Sequence, residues 1–462
     1  MQELNLGYHY PIIYWNTACL IINAGANEEL DDNKSTQYGK IAKAIANFKQ
    51  RSIIVDRPLI NEAKFSFVPD EKNNRIIFSF KGLCGIGDDI ARAIVEHQPY
   101  SSFEDFCKRM VDTKIIGTAK MIILIKAGCF NELDSPDRME TMKKFLSRNV
   151  FTPIDKLTMQ QFNSALEYDI FPKEMETMIR IKNFKAYALH ESFFLKNIID
   201  EGKKVPKKGY HDRYFALDER GTEFLMEHFN TCIVGTKEDG VIISEKLFNK
   251  EWDALIQPLK DYMALPETLQ LYNQKKLDST MESYASGSLE QWDMESLSYY
   301  PDRHELWNLN EPKYGVVDYN SLPEIPEVYD YTTRRVRGEI KHFPKYKIFR
   351  LAGTVLDSDN NKHLVTLLTN HSVVTCKYNK GQYSYYNKRI SEQTPAGKKK
   401  VLEESWFKRG SKIIVCGYRR EDQFVIMKYP DTVYTHTTNR IEEIYNDGTI
   451  LAQTDRKKVG EG

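Results

Sequence analysis

The sequence predicts a mixed α+β protein of several domains, with a mainly helical N-terminal part and a small β-barrel near the C-terminus. Two observations support this prediction. Apolar residues recur at helical spacing through much of residues 1–150, and five short strands rich in Val, Ile, Leu and Thr follow one another after residue 347. At 462 residues the chain is long enough for about two to four domains. Its composition, 41% hydrophobic and 28% charged, is typical of globular proteins.

Charge and cysteine content restrict the classes of function. Lys plus Arg equals Asp plus Glu, at 65 each, so any surface that binds a polyanion has to be local. Seven widely spaced cysteines, without a Cys-x-x-Cys pair or zinc-ligand spacing, favour reduced thiols in a cytosol-like compartment. No apolar run is long enough to span a bilayer, and the N-terminus lacks the pattern of a signal peptide. We therefore expect a cytoplasmic protein without a membrane partner.

The first predicted domain, residues 1–63, is helical. Residues 12–22 form a dense apolar run that predicts a buried helix, and residues 38–50 repeat apolar side chains at helical spacing. A short strand is predicted at residues 51–55. The second predicted domain, residues 64–150, opens with a β-hairpin that turns at Asn73.

A glycine bend in the second domain is the most informative segment of the chain. Gly85 and Gly87 flank Ile86, and a helix is expected to begin near Asp88. Bare N–H groups at a helix start attract anions, and for such a hairpin the usual anion is a nucleic-acid phosphate. The alternative is a simple packing joint between two helices, because Gly-x-Gly before a helix is common and this helix start is acidic.

Two following regions show no evident chemistry. Residues 151–260 mix helical and irregular patterns and have no assigned role. Residues 261–347 are predicted to be a linker, in which Gln270, Leu271 and Tyr272 are candidates for a peptide that docks in a partner's hydrophobic groove. An ordinary helical segment is the alternative for this peptide.

Residues 348–440 predict a closed five-stranded barrel of the oligonucleotide-binding type, interrupted after the third strand by a tyrosine-rich helical insertion. A small barrel that does not bind nucleic acid is the alternative. Aromatic and basic side chains in this domain suit a single strand, although a solvated basic surface with packed tyrosines has the same composition. The candidates are Lys377, Tyr378, Tyr383, Lys388, Arg389 and Arg419. Residues 441–462 are predicted to be a C-terminal tail.

No catalytic centre is evident. A polymerase or nuclease needs carboxylates that converge on two metal ions. The acidic run at residues 28–32 is expected in a loop, and Asp357 and Asp359 lie in a predicted hairpin turn. Walker-type loops, Gly-x-Ser-x-Gly elbows and His-Glu-x-x-His motifs do not occur in the sequence. We therefore predict no catalytic residue, no metal site and no bound cofactor in this chain.

Six segments follow one another in an order that resembles a known family. They are Tyr8-His-Tyr-Pro-Ile-Ile-Tyr-Trp, Asp56-Arg-Pro-Leu-Ile-Asn61, Arg75-Ile-Ile-Phe-Ser-Phe-Lys-Gly-Leu-Cys-Gly-Ile-Gly87, Ser102-Phe-Glu-Asp-Phe106, Leu124-Ile-Lys-Ala-Gly-Cys-Phe130, and Met294-Glu-Ser-Leu-Ser-Tyr-Tyr with His304-Glu-Leu306. Together they resemble the alpha subunit of bacterial replicative DNA polymerase III (the C family), most closely its versions in phages of Gram-positive hosts. Ser298 and Glu305 replace the usual glycine and proline of the last segment.

The resemblance implies a role in handling primer–template DNA. The glycine bend would belong to a helix-hairpin-helix that holds duplex phosphates without reading sequence, with Lys81 and Arg92 nearby. The barrel would hold the template single strand, and a sliding clamp would bind residues 270–272. The family's catalytic carboxylates precede every segment matched here. The chain is therefore expected to be a C-terminal portion whose partner, the N-terminal catalytic portion, binds Mg²⁺. A stand-alone DNA-binding accessory module and an interaction scaffold are the alternatives.

Overall fold

The computed structural model describes residues 10–26, 35–49, 52–195, 213–237, 240–393, 399–427 and 437–457. Residues 1–144 and 285–462 together make one compact unit, and residues 145–284 make a second. The second unit is therefore an insertion in the chain of the first. The acidic run at residues 28–32 and the start of the segment at Tyr8 lie outside the described residues.

The first unit begins with two helices and a small sheet: α1 (Ile12–Ala24), α2 (Tyr38–Lys49), β1 (Ile54–Asp56), β2 (Val68–Asp70) and β3 (Arg75–Ile77). Strand β3 pairs in parallel with β1 and antiparallel with β2. The predicted hairpin is thus present, but its strands are short. Phe65, Phe67, Phe78 and Phe80 flank these strands and are buried in the core.

The apolar run at residues 12–22 forms helix α1, but the expectation that this helix is buried was wrong. Ile13 and Leu20 are buried, whereas Ile12, Trp15 and Ile22 are 52%, 47% and 67% exposed. Apolar residues occupy every side of the helix, and the described part of the unit covers only one of them.

Four helices follow: α3 (Asp88–Glu96), α4 (Phe103–Phe106), α5 (Thr118–Lys126) and α6 (Arg138–Asn149). Ser102 begins α4 by accepting a hydrogen bond of 3.1 Å from the amide of Asp105. The Phe130 ring packs edge-to-face on Phe103 and Phe106, with centroid distances of 5.1 and 5.0 Å. The Ser-Phe-Glu-Asp-Phe and Ala-Gly-Cys-Phe segments of the sequence therefore form one aromatic core.

The second unit combines helices with a three-stranded antiparallel sheet of order β4-β6-β5. Its elements are α7 (Phe162–Glu167), α8 (Glu176–Ala188), β4 (Tyr214–Ala216), α9 (Glu219–His228), β5 (Ile233–Lys237), β6 (Gly240–Ser244), α10 (Glu245–Leu255), α11 (Gln257–Met263) and α12 (Pro266–Tyr284). Phe184, Phe215, Phe229 and Phe248 dominate one of its two clusters of core residues.

The predicted linker at residues 261–347 is largely regular structure. Gln270, Leu271 and Tyr272 lie within the 19-residue helix α12, and Tyr272 is buried against Leu259 and Met263. The three residues are therefore the ordinary helical segment that was the alternative to a docking peptide. Helix α12 is followed, in the first unit, by α13 (Leu289–Leu297), α14 (Glu311–Tyr314), β7 (Val328–Val336) and β8 (Glu339–Tyr346).

The predicted five-stranded barrel is confirmed. Its strands are β9 (Phe349–Asp359), β10 (Leu364–Leu368), β11 (Val373–Lys377), β14 (Lys412–Arg420) and β15 (Gln423–Ile426), with α15 (Lys380–Asn387), β12 (Ile390–Gln393) and β13 (Lys399–Glu403) inserted after β11. Strand β9 pairs with β10 and β14, β10 with β11, and β15 with both β14 and β11. The last of these pairings, which is parallel, closes the barrel.

Residues 441–462 were predicted to be a tail, but within their described part, up to residue 457, strands extend the barrel sheet. Strand β16 (Thr438–Ile444) pairs antiparallel with β14, and β17 (Ile450–Gln453) pairs with β16. Arg456 is buried beyond β17 and donates a 2.7 Å hydrogen bond from Nε to Oε2 of Glu403. Trp406 Nε1 donates to the other oxygen of this carboxylate at 2.7 Å. The C-terminal strands are thus fixed to the barrel by a buried ion pair.

Because of this ion pair, we expect the free energy of unfolding to decrease in acid. Burial by itself raises the pKa of the Glu403 carboxyl, but the hydrogen bonds from Arg456 and Trp406 outweigh burial, and the pKa is lowered from its ordinary value of 4.5. A carboxyl whose pKa is lower in the folded state stabilises the fold above its unfolded pKa, and this contribution is lost as pH falls below about 4.5. Denaturant unfolding at decreasing pH should show a smaller slope in Glu403→Gln than in the unsubstituted chain. Glu442→Gln, at an exposed carboxyl of β16, is the control and should keep the original slope.

Candidate nucleic-acid interface

The glycine bend between β3 and α3 is fixed by its apolar residues. Leu83 and Ile86 are buried, and the Ile86 amide donates to the Leu83 carbonyl at 3.3 Å. The amide of Cys84 donates to the carbonyl of Ser296 in α13 at 2.8 Å. Gly85 has a φ of +88°, in the left-handed region that side chains disfavour. The chain therefore reverses at Gly85, and the buried side chains of Leu83 and Ile86 hold the bend in place.

The backbone donors of this bend are accessible. Gly85 and Gly87 are exposed, and within the described part of the chain the Gly87 amide donates no hydrogen bond, whereas the Gly85 amide hydrogen-bonds the Tyr38 hydroxyl. Gly87 is the N-cap of α3, with φ −81° and ψ 165°, and no side chain caps the helix. The first-turn amides of Asp88 and Asp89 have no partner inside a helix by geometry. The bend is therefore not a buried packing joint.

A second helix of the unit starts in the same way. Gly117 is the N-cap of α5, with φ −84° and ψ 164°, again without a side-chain cap. The residue before each glycine is a buried isoleucine: Ile116 before Gly117, and Ile86 before Gly87. Unlike α3, helix α5 has no acidic residue in its first turn. A β-carbon added at either Gly87 or Gly117 would meet no atom within 4 Å, so the space in front of both helix starts is open.

Basic side chains connect and surround the two helix starts. Lys120, in the first turn of α5, donates from Nζ to the carbonyl of Gly85 and so joins the second helix start to the first bend. Lys81, predicted to lie near DNA, is paired with Asp88, so one of the two acidic groups in the first turn of α3 is neutralised, while Asp89 is exposed. Arg92 stacks its guanidinium on the Phe65 ring at 4.1 Å while remaining exposed.

A buried ion cluster holds the far end of α5. Asp293 of α13 accepts hydrogen bonds of 2.5 and 2.9 Å from Arg57, and one of 2.5 Å from Arg138. Both arginines also donate to carbonyls at the C-terminus of α5, Arg57 to Ala127 at 3.3 Å and Arg138 to Lys126. Cations at a helix C-terminus satisfy its free carbonyls and its dipole. Helix α13 thus supports the first bend through Ser296 and α5 through Asp293.

The predicted stacking residues of the barrel do not form a surface. Tyr378 and Tyr383 are 1% and 3% exposed and belong to the barrel core. Burial raises the pKa of both phenols, as expected for hydroxyl groups removed from water. The composition was right but the orientation was not, because alternate residues of a strand, and one side of α15, have to fill the barrel.

The predicted basic residues of the barrel are mostly engaged within the protein. Lys377 donates to the carbonyl of Lys362, and Arg419 is paired with Glu324 at 2.9 Å and stacked over the Tyr319 ring. Lys388 and Arg389 are exposed, with Arg389 3.2 Å from Glu404. Of the predicted barrel site, only these last two side chains face solvent.

Across the described ranges, no three His, Cys, Asp or Glu residues are grouped so that they could hold a metal ion. No helix in the same ranges has both the length and the hydropathy to cross a membrane.

Sequence reasoning missed the second helix start. Its residues are Gly117, Thr118 and Lys120, and the signal was present: Ile116-Gly117-Thr118 repeats the pattern of Ile86-Gly87-Asp88, a buried isoleucine followed by a glycine N-cap. The repeat has only one glycine where the first bend has two, so its glycine pattern is weaker.

Comparison with known proteins identifies a motif that contains both helix starts. A family model described as a helix-hairpin-helix motif matches residues 52–140, which contain both helix starts. The chain is 40% identical over 470 residues to "Probable DNA polymerase YorL" of Bacillus subtilis (strain 168), and equally to "DNA-directed DNA polymerase" of Bacillus phage SPbeta. The alignments cover 99% of this chain but 34% of each relative, so the chain spans about a third of the length of the curated relatives it matches. Nearly all of the chain is thus similar to one part of proteins named as DNA polymerases, and its two glycine-capped helix starts lie inside a helix-hairpin-helix motif.

Proposed function

We propose that this chain is the DNA-binding, C-terminal portion of a replicative DNA polymerase of the C family. The observation that carries the proposal is the pair of exposed, glycine-capped helix starts within the helix-hairpin-helix motif. Free amides at a helix start bind phosphate oxygens without reading base sequence. A polymerase needs such contacts, because it has to hold the new duplex at every position along the template.

The remaining parts of the proposal rest on the relatives. A separate N-terminal catalytic portion provides the carboxylates that bind Mg²⁺, in keeping with the relatives' greater length. The five-stranded barrel acts as an oligonucleotide-binding domain and holds the template single strand. The complex acts in the cytoplasm of a bacterium or a phage-infected cell. A clamp-binding peptide at residues 270–272 is not retained, because Tyr272 is buried in helix α12.

The double variant Gly87→Ala with Gly117→Ala tests the phosphate contacts. Both glycines have ordinary negative φ values and open space where a β-carbon would be placed, so the fold is expected to tolerate alanine. The new methyl groups project into the open space through which a phosphate approaches the free amides, and weaker charge-assisted hydrogen bonds there should reduce duplex affinity about tenfold. Fluorescence anisotropy with several unrelated duplexes measures the effect, which should be equal for all sequences.

Gly381→Ala, at an exposed position of helix α15, is the matched control because a β-carbon there would also meet no atom closer than ordinary van der Waals contact. It should leave duplex affinity unchanged. Equal affinity of the double variant and the unsubstituted chain, or a flat dependence of binding on salt, would contradict the proposal and favour an interaction scaffold.

A further inference from the structure

A two-stranded ribbon precedes the barrel, and both of its faces are exposed. Strands β7 and β8 pair with each other and, among the described strands, with no other. Arg337 and Gly338 join them in a two-residue turn, with φ values of 53° and 88°. We call this ribbon, residues 328–346, the arm. A two-stranded hairpin with no covered face is only marginally stable in water. Its own packing therefore does not explain why the arm is present, and a bound partner would.

The root of the arm is fixed to the barrel. The Tyr346 ring contacts the Tyr418 ring of β14 at a centroid distance of 4.5 Å, and Arg420 donates to the Tyr346 hydroxyl at 3.3 Å. The amide of Lys347 closes the base of the ribbon by donating to the carbonyl of Glu327 at 2.9 Å. Only two residues separate the arm from strand β9. The arm therefore starts at a defined position beside the barrel.

Positive charge is concentrated toward the tip. The arm has five Lys or Arg residues and two Asp or Glu residues, an excess of three positive charges in a chain of zero net charge. The acidic residue near the root, Asp330, is neutralised by Lys345 at 2.6 Å. In the part of the chain that the structure describes, Arg334 and Arg337 near the tip form no ion pair.

Two of these charges repel each other within the arm. Arg334 on β7 is the direct register partner of Lys341 on β8, so both side chains project from the same face. Like charges directly opposite on a sheet are destabilising. Glu339 on the same face lies 3.7 Å from Lys341 and offsets part of this repulsion, and a bound polyanion would remove the rest.

Exposed aromatic rings accompany the charges. Tyr329, Tyr331 and Phe343 are 52%, 59% and 43% exposed. Phe343, the register partner of Thr332, projects from the face of Arg334 and Lys341, whereas Tyr331, the partner of Pro344, projects from the other face. Charged residues alone would protect the open edges of the ribbon from pairing with other chains. That protective role gives no reason for three exposed rings beside them. Rings next to cations are the combination that stacks unpaired bases and holds the adjoining phosphates.

We propose that the arm is a single-stranded DNA-binding site, in which Phe343 stacks a base and Arg334 and Lys341, on the same face, contact phosphates. The inference rests on the proposed function in taking DNA as the ligand, but it uses residues outside the helix-hairpin-helix. It assigns to the arm the stacking role that the buried barrel tyrosines cannot perform. The expected ligand is single-stranded rather than duplex DNA, because stacking on an aromatic ring requires unpaired bases.

The test compares two arm variants of the full chain in binding oligothymidylate and a blunt duplex. Arg334→Gln with Lys341→Gln should weaken single-strand binding and reduce the slope of log affinity against log salt by about 1.4, or about 0.7 for each lost phosphate contact. Phe343→Ala should weaken it at least about fivefold. Lys143→Gln with Lys250→Gln removes the same charge from exposed helix positions and should change neither quantity. The affinity for duplex DNA should be unchanged in every variant.

A direct readout covers the case in which an arm variant unfolds locally. Oligonucleotides that contain 5-iodouracil, irradiated with the unsubstituted chain, should crosslink to peptides from residues 328–346. Unchanged single-strand affinity in both arm variants, or crosslinks only elsewhere, would overturn the inference while leaving the helix-hairpin-helix proposal intact. Equal losses on single-strand and duplex DNA would show that the arm binds duplex and would also overturn it. An unsubstituted chain that binds neither DNA would instead refute the proposed function.

Discussion

Asp293→Ala is expected to destabilise the first unit by about 3–5 kcal/mol, the cost of removing one partner from a buried ion cluster. Arg57 and Arg138 both bind this carboxylate, and the side chains of Asp293 and Arg138 are almost fully buried. Burial by itself lowers the pKa of the Arg57 guanidinium, but its hydrogen bonds to Asp293 and Asp302 outweigh burial and raise the pKa. Because a guanidinium is not deprotonated in proteins, removing the carboxylate leaves buried positive charge without its counterion.

The matched control for this substitution uses the same arginine. Asp302 lies 2.7 Å from Arg57, but its side chain is 76% exposed. Because exposed ion pairs contribute about 0–1 kcal/mol, Asp302→Ala should have a small effect. Asp293→Asn should fall between the two, since an amide oxygen still accepts a hydrogen bond. Denaturant unfolding of the three variants measures these differences, and equal losses for Asp293→Ala and Asp302→Ala would contradict the buried-cluster argument.

Primer extension provides the prediction with the largest effect on activity. On the proposed function, this chain alone should not extend a primer, because the metal-binding carboxylates belong to another polypeptide. Mixing it with a polypeptide that corresponds to the remaining two thirds of its relatives should produce extension that requires Mg²⁺. Gel analysis of a labelled primer–template with each component alone and with the mixture measures this.

Two controls make the extension experiment specific. The Gly87→Ala and Gly117→Ala double variant should give a mixture that extends fewer primers at low DNA concentration, because its grip on the duplex is weaker. Chelation of Mg²⁺ should stop extension by the complete mixture. Magnesium-dependent extension by this chain alone would place an active site within it and refute the proposal that another polypeptide provides the metal-binding carboxylates.

Local pattern was a good guide to the elements that build the interface. The spacing of Ile90, Ala91 and Ile94 predicted helix α3, and Gly85 predicted the sharp reversal before it. Both features are set by nearby residues, through helical periodicity and through the freedom of glycine at positive φ. The five barrel strands were equally visible, because each is a short β-branched run with a turn beside it.

Orientation and long-range pairing could not be predicted in the same way. Composition placed tyrosines beside cations in the barrel, but which face of a strand or helix points inward depends on partners distant in sequence. Tyr378, for example, is buried with its hydroxyl 2.9 Å from that of Thr438, sixty residues later. The arm was taken for part of a linker, because its charged and aromatic residues lack the alternation of a half-buried strand.

The insertion of the second unit has a consequence for how the protein is synthesised. Residues 145–284 form a continuous segment and can fold as soon as they leave the ribosome. Residues 1–144 have to wait, because Arg57 meets Asp293 only after another 236 residues have been translated. During that interval the apolar surfaces of the nascent N-terminal segment lack their native cover. Heterologous production should therefore benefit from slower translation or added chaperones, and premature termination before residue 285 should yield aggregates.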